Sequence, residues 1–223
     1  MINSVLRKYR LWKLGKSQRK EVWKDGTLLN AFYNSKTMFI HIPKTAGMSL
    51  IKAIYGNVSF SGHRSFYVNN IALDIKDEKY FSFGFVRNPY DRLYSVYMFL
   101  KKGGINHHDK LSFLNHMSKF KDFEDFVLNG LDEKLVFKIT HLIPQHDYLC
   151  DTKGEILVDF VGRFENLEYD VKLLSKRLGK NIELNHLNYN KKKSYIEVYT
   201  EAMIKKVYNV YQKDIDIFEY TFK

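Results

Sequence analysis

Short, nearly unbroken apolar runs alternate along this chain with longer stretches in which apolar residues recur at helical spacing. Met38 to Ile42 and Tyr80 to Val86 are the clearest runs, stopped by Pro43 and Arg87; their length and abrupt ends predict buried strands. Asn57 to His63 alternates polar and apolar residues and predicts a second strand between those two, and Ile156 to Phe160 predicts a later one. Helical spacing covers Met48 to Tyr55, Pro89 to Tyr97 and Val198 to Tyr220, and Leu167 to Leu178 ahead of Gly179, a C-cap residue. Lys110 to Ile139 predicts short amphipathic helices, and Lys101 to His108 a basic loop. Strands separated by helices predict an α/β domain with a central, mostly parallel sheet flanked by helices, over residues 36–223. Residues 1–35 are expected as a basic helical extension, with Ile2, Val5, Leu6, Tyr9 and Trp12 on one side.

Composition narrows the partners. The 223 residues carry a formal net charge of +11, which points to an anionic partner without choosing among nucleic acid, membrane, acidic glycan and nucleotide. Cys150 is the single cysteine, so an intramolecular disulfide and a zinc site of several thiolates are excluded. No apolar run reaches the ~20 residues of a membrane span, and the expected location is cytoplasmic. Residues 1–24 hold eight Lys or Arg against one Glu. They read first as a helix packed on the domain with a solvated basic face, and alternatively as a peripheral contact with the inner face of a membrane.

Candidate chemistry begins where the first run ends. In His41-Ile-Pro-Lys-Thr-Ala-Gly-Met-Ser-Leu50 a strand gives way to small and polar residues and then a helix. Unpaired N–H groups, the helix dipole and Lys44 together favour a phosphate or sulfate. Lys44 precedes Gly47, whereas the nucleotide-hydrolase phosphate loop has its Lys after the second Gly. In Val86-Arg-Asn-Pro-Tyr-Asp-Arg-Leu-Tyr-Ser95 the chain ends a strand with Arg87, caps a helix with Asn88 and Pro89, and places Ser95 two turns in. A guanidinium fork and a hydroxyl suit a second phosphate. Arg92 is expected in structural ion pairs.

These two segments, in this order, resemble the 5′-phosphosulfate and 3′-phosphate motifs of sulfotransferases that use 3′-phosphoadenosine 5′-phosphosulfate, PAPS, and release the bisphosphate PAP. The first is close to the form seen in membrane-type and bacterial carbohydrate sulfotransferases. The resemblance runs from about residue 36 to 221 and implies a P-loop nucleotide-kinase-like fold. It assigns Lys44, Thr45, Ala46, Gly47, Met48, Ser49 and Leu50 to the phosphosulfate, Arg87 and Ser95 to the 3′-phosphate, and Lys192, Lys193 and Ser194 to a loop over the nucleotide. Lys44 is also expected to act in catalysis, and His63 to take the proton of a carbohydrate hydroxyl, as a His after the second strand does in related enzymes. Arg64 either holds an acidic acceptor or is solvated, and Gln145 is the second candidate for acceptor binding. No metal and no nucleic-acid partner is implied. Two alternatives stay open: a phosphotransferase using Mg²⁺ and ATP, for which Asp159 after Leu157 and Val158 is the nearest imitation of a metal carboxylate, and a non-catalytic binder of acidic glycan or nucleic acid.

Overall fold

The computed structural model describes residues 2–60, 62–75, 79–184 and 194–223. In chain order the elements are α1 (Ile2–Val22), α2 (Leu28–Ser35), β1 (Thr37–Ile40), α3 (Gly47–Tyr55), α4 (Phe66–Leu73) and β2 (Phe81–Val86). They continue with α5 (Pro89–Lys101), α6 (His107–His116), α7 (Phe123–Asp125), α8 (His146–Leu149), β3 (Phe160–Arg163), α9 (Leu167–Leu178) and α10 (Glu201–Ile217). The architecture is α/β: a parallel three-stranded sheet in the order β1-β2-β3, flanked by helices. β1 pairs with β2 in register from Thr37 opposite Phe81 to Ile40 opposite Gly84. Every residue of β1 and five of the six in β2 are buried. That is why these strands read as continuous apolar runs: a parallel sheet covered by helices leaves no face for polar residues.

The chain forms two compact units, one holding the sheet with α1–α4 and α9, the other holding Pro43–Thr45 with α5–α7 and α10. In the first, Phe39 stacks on Phe83 at 5.2 Å between ring centroids, and Phe85 meets Phe160 at 6.1 Å. The second is packed around aromatics of α5 and its partners, including Tyr97, Phe123 and Phe126, with Met203 and Val207 of α10 in the same cluster. No helix among the described residues is long and apolar enough to cross a membrane.

Several boundaries differ from expectation. The described residues of 57–63 form no strand: Ser59 makes a single parallel bridge with Thr27, and Val58 and Phe60, apolar positions of the alternation, are only half-buried. β3 starts at Phe160, and Ile156 bridges Cys150 instead. Asp159 lies at the amino end of β3, where its carboxylate accepts from the Ser82 N–H and hydroxyl, both at 2.8 Å. It therefore pairs strands at the end of the sheet opposite the carboxyl termini of β1 and β2. His107 and His108 form the first turn of α6, capped by Asn106, rather than a loop. α2 and α4 were not expected; Thr27 caps α2 and buries Leu28, Leu29 and Phe32 behind it. Glu165, which its neighbourhood to Arg163 suggests as a buried partner, is exposed.

Residues 9–35 are built into the sheet unit. α1 meets α4 where Gly15 leaves no room for a side chain, a Cβ there lying 2.6 Å from the Ile71 Cβ, and Arg19 pairs with Asp74 at 2.5 Å. Gly15→Val should overpack this crossing and cost about 1–3 kcal/mol, lowering the midpoint of thermal unfolding by about 2–4 °C per kcal/mol. Circular dichroism on the purified variant measures the shift; an unchanged midpoint would show that α1 does not bear on stability.

Candidate functional site

Beyond Ile40 the backbone takes an unusual course. Lys44 and Ala46 are both left-handed, at φ 68° and 66°, and Gly47 opens α3. Left-handed residues separated by one ordinary residue curl N–H groups toward one side, as in anion-binding nests. Ala46 provides no side-chain cap, so the first-turn N–H groups of α3 are not taken up by one. Gly47 is obligatory, because any Cβ would collide with the His41 ring. Thr45 is buried, Ser49 half-buried and Met48 exposed. Leu50, expected at the end of the cradle, instead donates its N–H to the Ala46 carbonyl at 3.1 Å and buries its side chain in the core.

The Lys44 carbonyl accepts from Arg87 Nη1 at 3.1 Å, and Arg87 Nε donates to Asp91 at 2.7 Å. Arg87 is held from behind. Its N–H donates to Gln145 Oε1 at 2.9 Å, and Gln145 Nε2 donates to its carbonyl at 2.8 Å, so one side chain imitates a strand partner. Gln145 is fully buried, and this pairing gives it a positioning task in place of acceptor contact. Its own N–H donates to Asp214 Oδ2 at 2.7 Å, and the His146 N–H donates to Oδ1 at 2.8 Å, with His146 Nδ1 at 2.6 Å from the same oxygen.

α5 supplies the other wall. Arg92, expected in ion pairs, gives its buried guanidinium to three backbone carbonyls: Pro43 at 3.2 Å, His141 at 3.0 Å and Ile143 at 2.7 Å. Three and seven residues later, on the same side of the helix, come Ser95, buried, and Phe99, whose ring lies 4.2 Å from Lys44 Nζ. Lys44, Arg87, Arg92 and Phe99 are thus gathered around Pro43–Thr45, with Ser95 between Arg92 and Phe99 along α5.

In the sheet unit, His63 Nδ1 lies 3.0 Å from the His41 carbonyl. A carbonyl only accepts, so Nδ1 carries the proton and Nε2 of the neutral ring is the basic nitrogen. The ring sits 4.3 Å from that of His41, and His41 meets Phe60 at 5.5 Å. Phe60 borders a groove of about 720 Å³ that runs along α3 from Ser49, with Lys52, Asn57, Asn181 and Glu183 on its walls. Arg64 is neither solvated nor directed to an acceptor: it is buried, with Nε donating to Asn69 at 3.0 Å and Nη1 to Gln18 at 3.4 Å. Burial lowers its pKa, and Glu21 opposes the shift. Ser194 is exposed, and its carbonyl accepts from the Glu197 N–H at 3.1 Å. Lys192 and Lys193 lie outside the described residues.

Asp214 and Phe99 are the functional neighbours that sequence reasoning passed over. Asp214 carries a signal in hindsight, since it falls on the same side of α10 as Val207 and Tyr211, which are buried, and a carboxylate there requires donors. Gln145→Leu should strand the Arg87 N–H and carbonyl and destabilise the protein by about 2–6 kcal/mol, at 1–3 kcal/mol for each buried unsatisfied group. Urea unfolding checks this; a loss below 1 kcal/mol, on the order of a single ordinary hydrogen bond, would mean that Arg87 does not depend on the amide.

No curated protein and no solved structure matches the chain significantly. The model of the Sulfotransferase family matches residues 31–221, a span that includes Lys44, His63, Arg87, Ser95, Gln145 and Asp214. A match over most of the chain, on a sheet consistent with a P-loop-like fold, makes this protein a transferase of the sulfotransferase family.

Proposed function

We propose that the protein transfers a sulfuryl group from PAPS to a hydroxyl of a carbohydrate, releasing PAP. The observation that carries this reading is the left-handed loop at Lys44 to Ala46 with Arg87 hydrogen-bonded to its carbonyl. Cationic groups and inward N–H donors at one turn suit a donor with phosphate at both ends. When bound, PAPS supplies an activated sulfuryl group and a phosphate leaving group. The N–H groups of Thr45 to Ser49 and the Ser49 hydroxyl would hold the 5′-phosphate. Lys44 would neutralise the charge that develops on the leaving oxygen, where a preorganised donor acts on the transition state more than on the ground state. Arg87 and Ser95 would read the 3′-phosphate, with Lys192, Lys193 and Ser194 as further nucleotide contacts. His63 Nε2 would take the acceptor proton.

Support for a carbohydrate acceptor comes from the groove along α3. Its walls mix amide, ammonium and carboxylate groups with Phe60, a lining suited to a polyhydroxyl ligand, and its volume lies in the range of small-molecule sites. A bacterial surface glycan or its precursor, met at the cytoplasmic side of a membrane, is the setting we infer. The Mg²⁺-dependent phosphotransferase finds no comparable support, since Asp159 is engaged with Ser82 at the amino end of its strand.

Transfer of label from PAPS to a panel of oligosaccharides tests the reading, and label moving from ATP and not from PAPS would overturn it. Lys44→Ala should lower turnover on the order of 10²-fold or more, the typical effect of losing one transition-state donor. His63→Ala should reduce turnover while calorimetry shows unchanged PAP affinity. Lost PAP binding in that variant would move His63 to the nucleotide.

A further inference from the structure

Both tryptophans of the chain, Trp12 and Trp23, lie on or directly after α1, and they are 48% and 67% exposed. Eleven residues of helix bring a side chain back to within about 20° of its starting direction and about 16 Å along the axis, so the two indoles share one face. Lys16 and Lys20 stand between them, both exposed. Tyr9, 58% exposed, extends the strip by a turn and stacks on Trp12 at 6.1 Å, and Lys16 Nζ lies 5.9 Å from the Trp12 ring. The flank that adjoins this strip is committed to the fold, with Gly15 against Ile71, Arg19 paired with Asp74 and Val22 buried, while Lys16, Lys20 and Tyr9 lie on the side turned away from it. From Tyr9 to Lys24 the chain holds six Lys or Arg and one Glu.

We propose that this strip docks α1 on the surface of an anionic phospholipid bilayer. Indole and phenol rings settle at the level of the headgroups, with an apolar body toward the acyl chains and a polar tip toward water. Lysines beside them extend their ammonium groups to lipid phosphates while their stems cover apolar surface. The geometry favours a plane over a nucleic-acid strand. Single-stranded nucleic acid is bound by closely spaced rings in a basic groove, whereas this strip follows the crest of a helix with its indoles about 16 Å apart. None of its residues belongs to the set proposed for sulfuryl transfer, so the two readings stand independently.

Because Trp12 and Trp23 are the only tryptophans, the intrinsic fluorescence of the unmodified chain reports on this face alone. Mixed with vesicles of phosphatidylglycerol and phosphatidylcholine, the protein should sediment with the lipid and its emission should shift to the blue. Pure phosphatidylcholine vesicles should produce neither effect. Reversing two charges with Lys16→Glu and Lys20→Glu should weaken vesicle binding by at least about tenfold, while sulfuryl transfer and the thermal midpoint stay unchanged. Absence of sedimentation and blue shift with the anionic vesicles overturns the proposal. So does equal binding to both vesicle types, indifference to the charge reversal, or tight binding of a single-stranded oligonucleotide in place of lipid.

Discussion

A buried guanidinium sets the course of the loop on which the candidate chemistry rests. Arg92 carries a charge out of water, and such a group persists in a protein interior only when hydrogen bonds replace its hydration. It finds them in the carbonyls of Pro43, His141 and Ile143. Two of those carbonyls come from a segment about fifty residues later in the chain, and the third directly precedes Lys44. The direction in which Lys44 leaves the backbone is thus decided by a helix it does not belong to. Gln145 extends the same logic, since its amide closes on both backbone groups of Arg87 and is itself held by Asp214. The backbone of Arg87 is placed by a neutral amide, while its guanidinium is shared between the Asp91 carboxylate and the Lys44 carbonyl.

Much of this was legible beforehand, for identifiable reasons. β1, β2 and the start of α5 follow from local chemistry: apolar runs ended by Pro43 and Arg87, then Asn88 and Pro89 where a helix must begin, and Asn88 does accept from the Tyr90 N–H at 3.1 Å. The tight turn from β1 into α3 was legible because small residues between a strand and a helix permit the positive φ found at Lys44 and Ala46. α2 was equally available, since Thr27 followed by Leu28, Leu29 and Phe32 is a cap with a buried face. Asn34 and Ser35 are turn formers by residue type, which hides the helix, yet they form its last turn.

What escaped depends on partners distant in sequence. The alternation of Asn57 to His63 predicts a strand, yet a strand needs a neighbour with free edges, and among the described residues the segment makes a single bridge, to Thr27. His63 still reaches the carboxyl end of β1, by a hydrogen bond to His41 that no pattern encodes. Arg64, Arg92 and Gln145 share a different difficulty. Each is a polar residue whose place, inside or outside, is fixed by carbonyls, amides or a carboxylate contributed from elsewhere, so residue type alone argued equally for solvent, ligand or core.

The left-handed turn at Lys44 and Ala46 has an evolutionary consequence. An L-residue in that conformation carries a penalty of about 1–2 kcal/mol that glycine avoids, so both positions hold stability in reserve. Selection for heat tolerance alone would release it by placing glycine at either one. At 46 the gain would leave every charged group in place, whereas at 44 it would remove the ammonium itself. Two positions of one turn, with Thr45 between them, thus differ in what the same relief of strain would remove: nothing but a methyl group at one, a cation at the other.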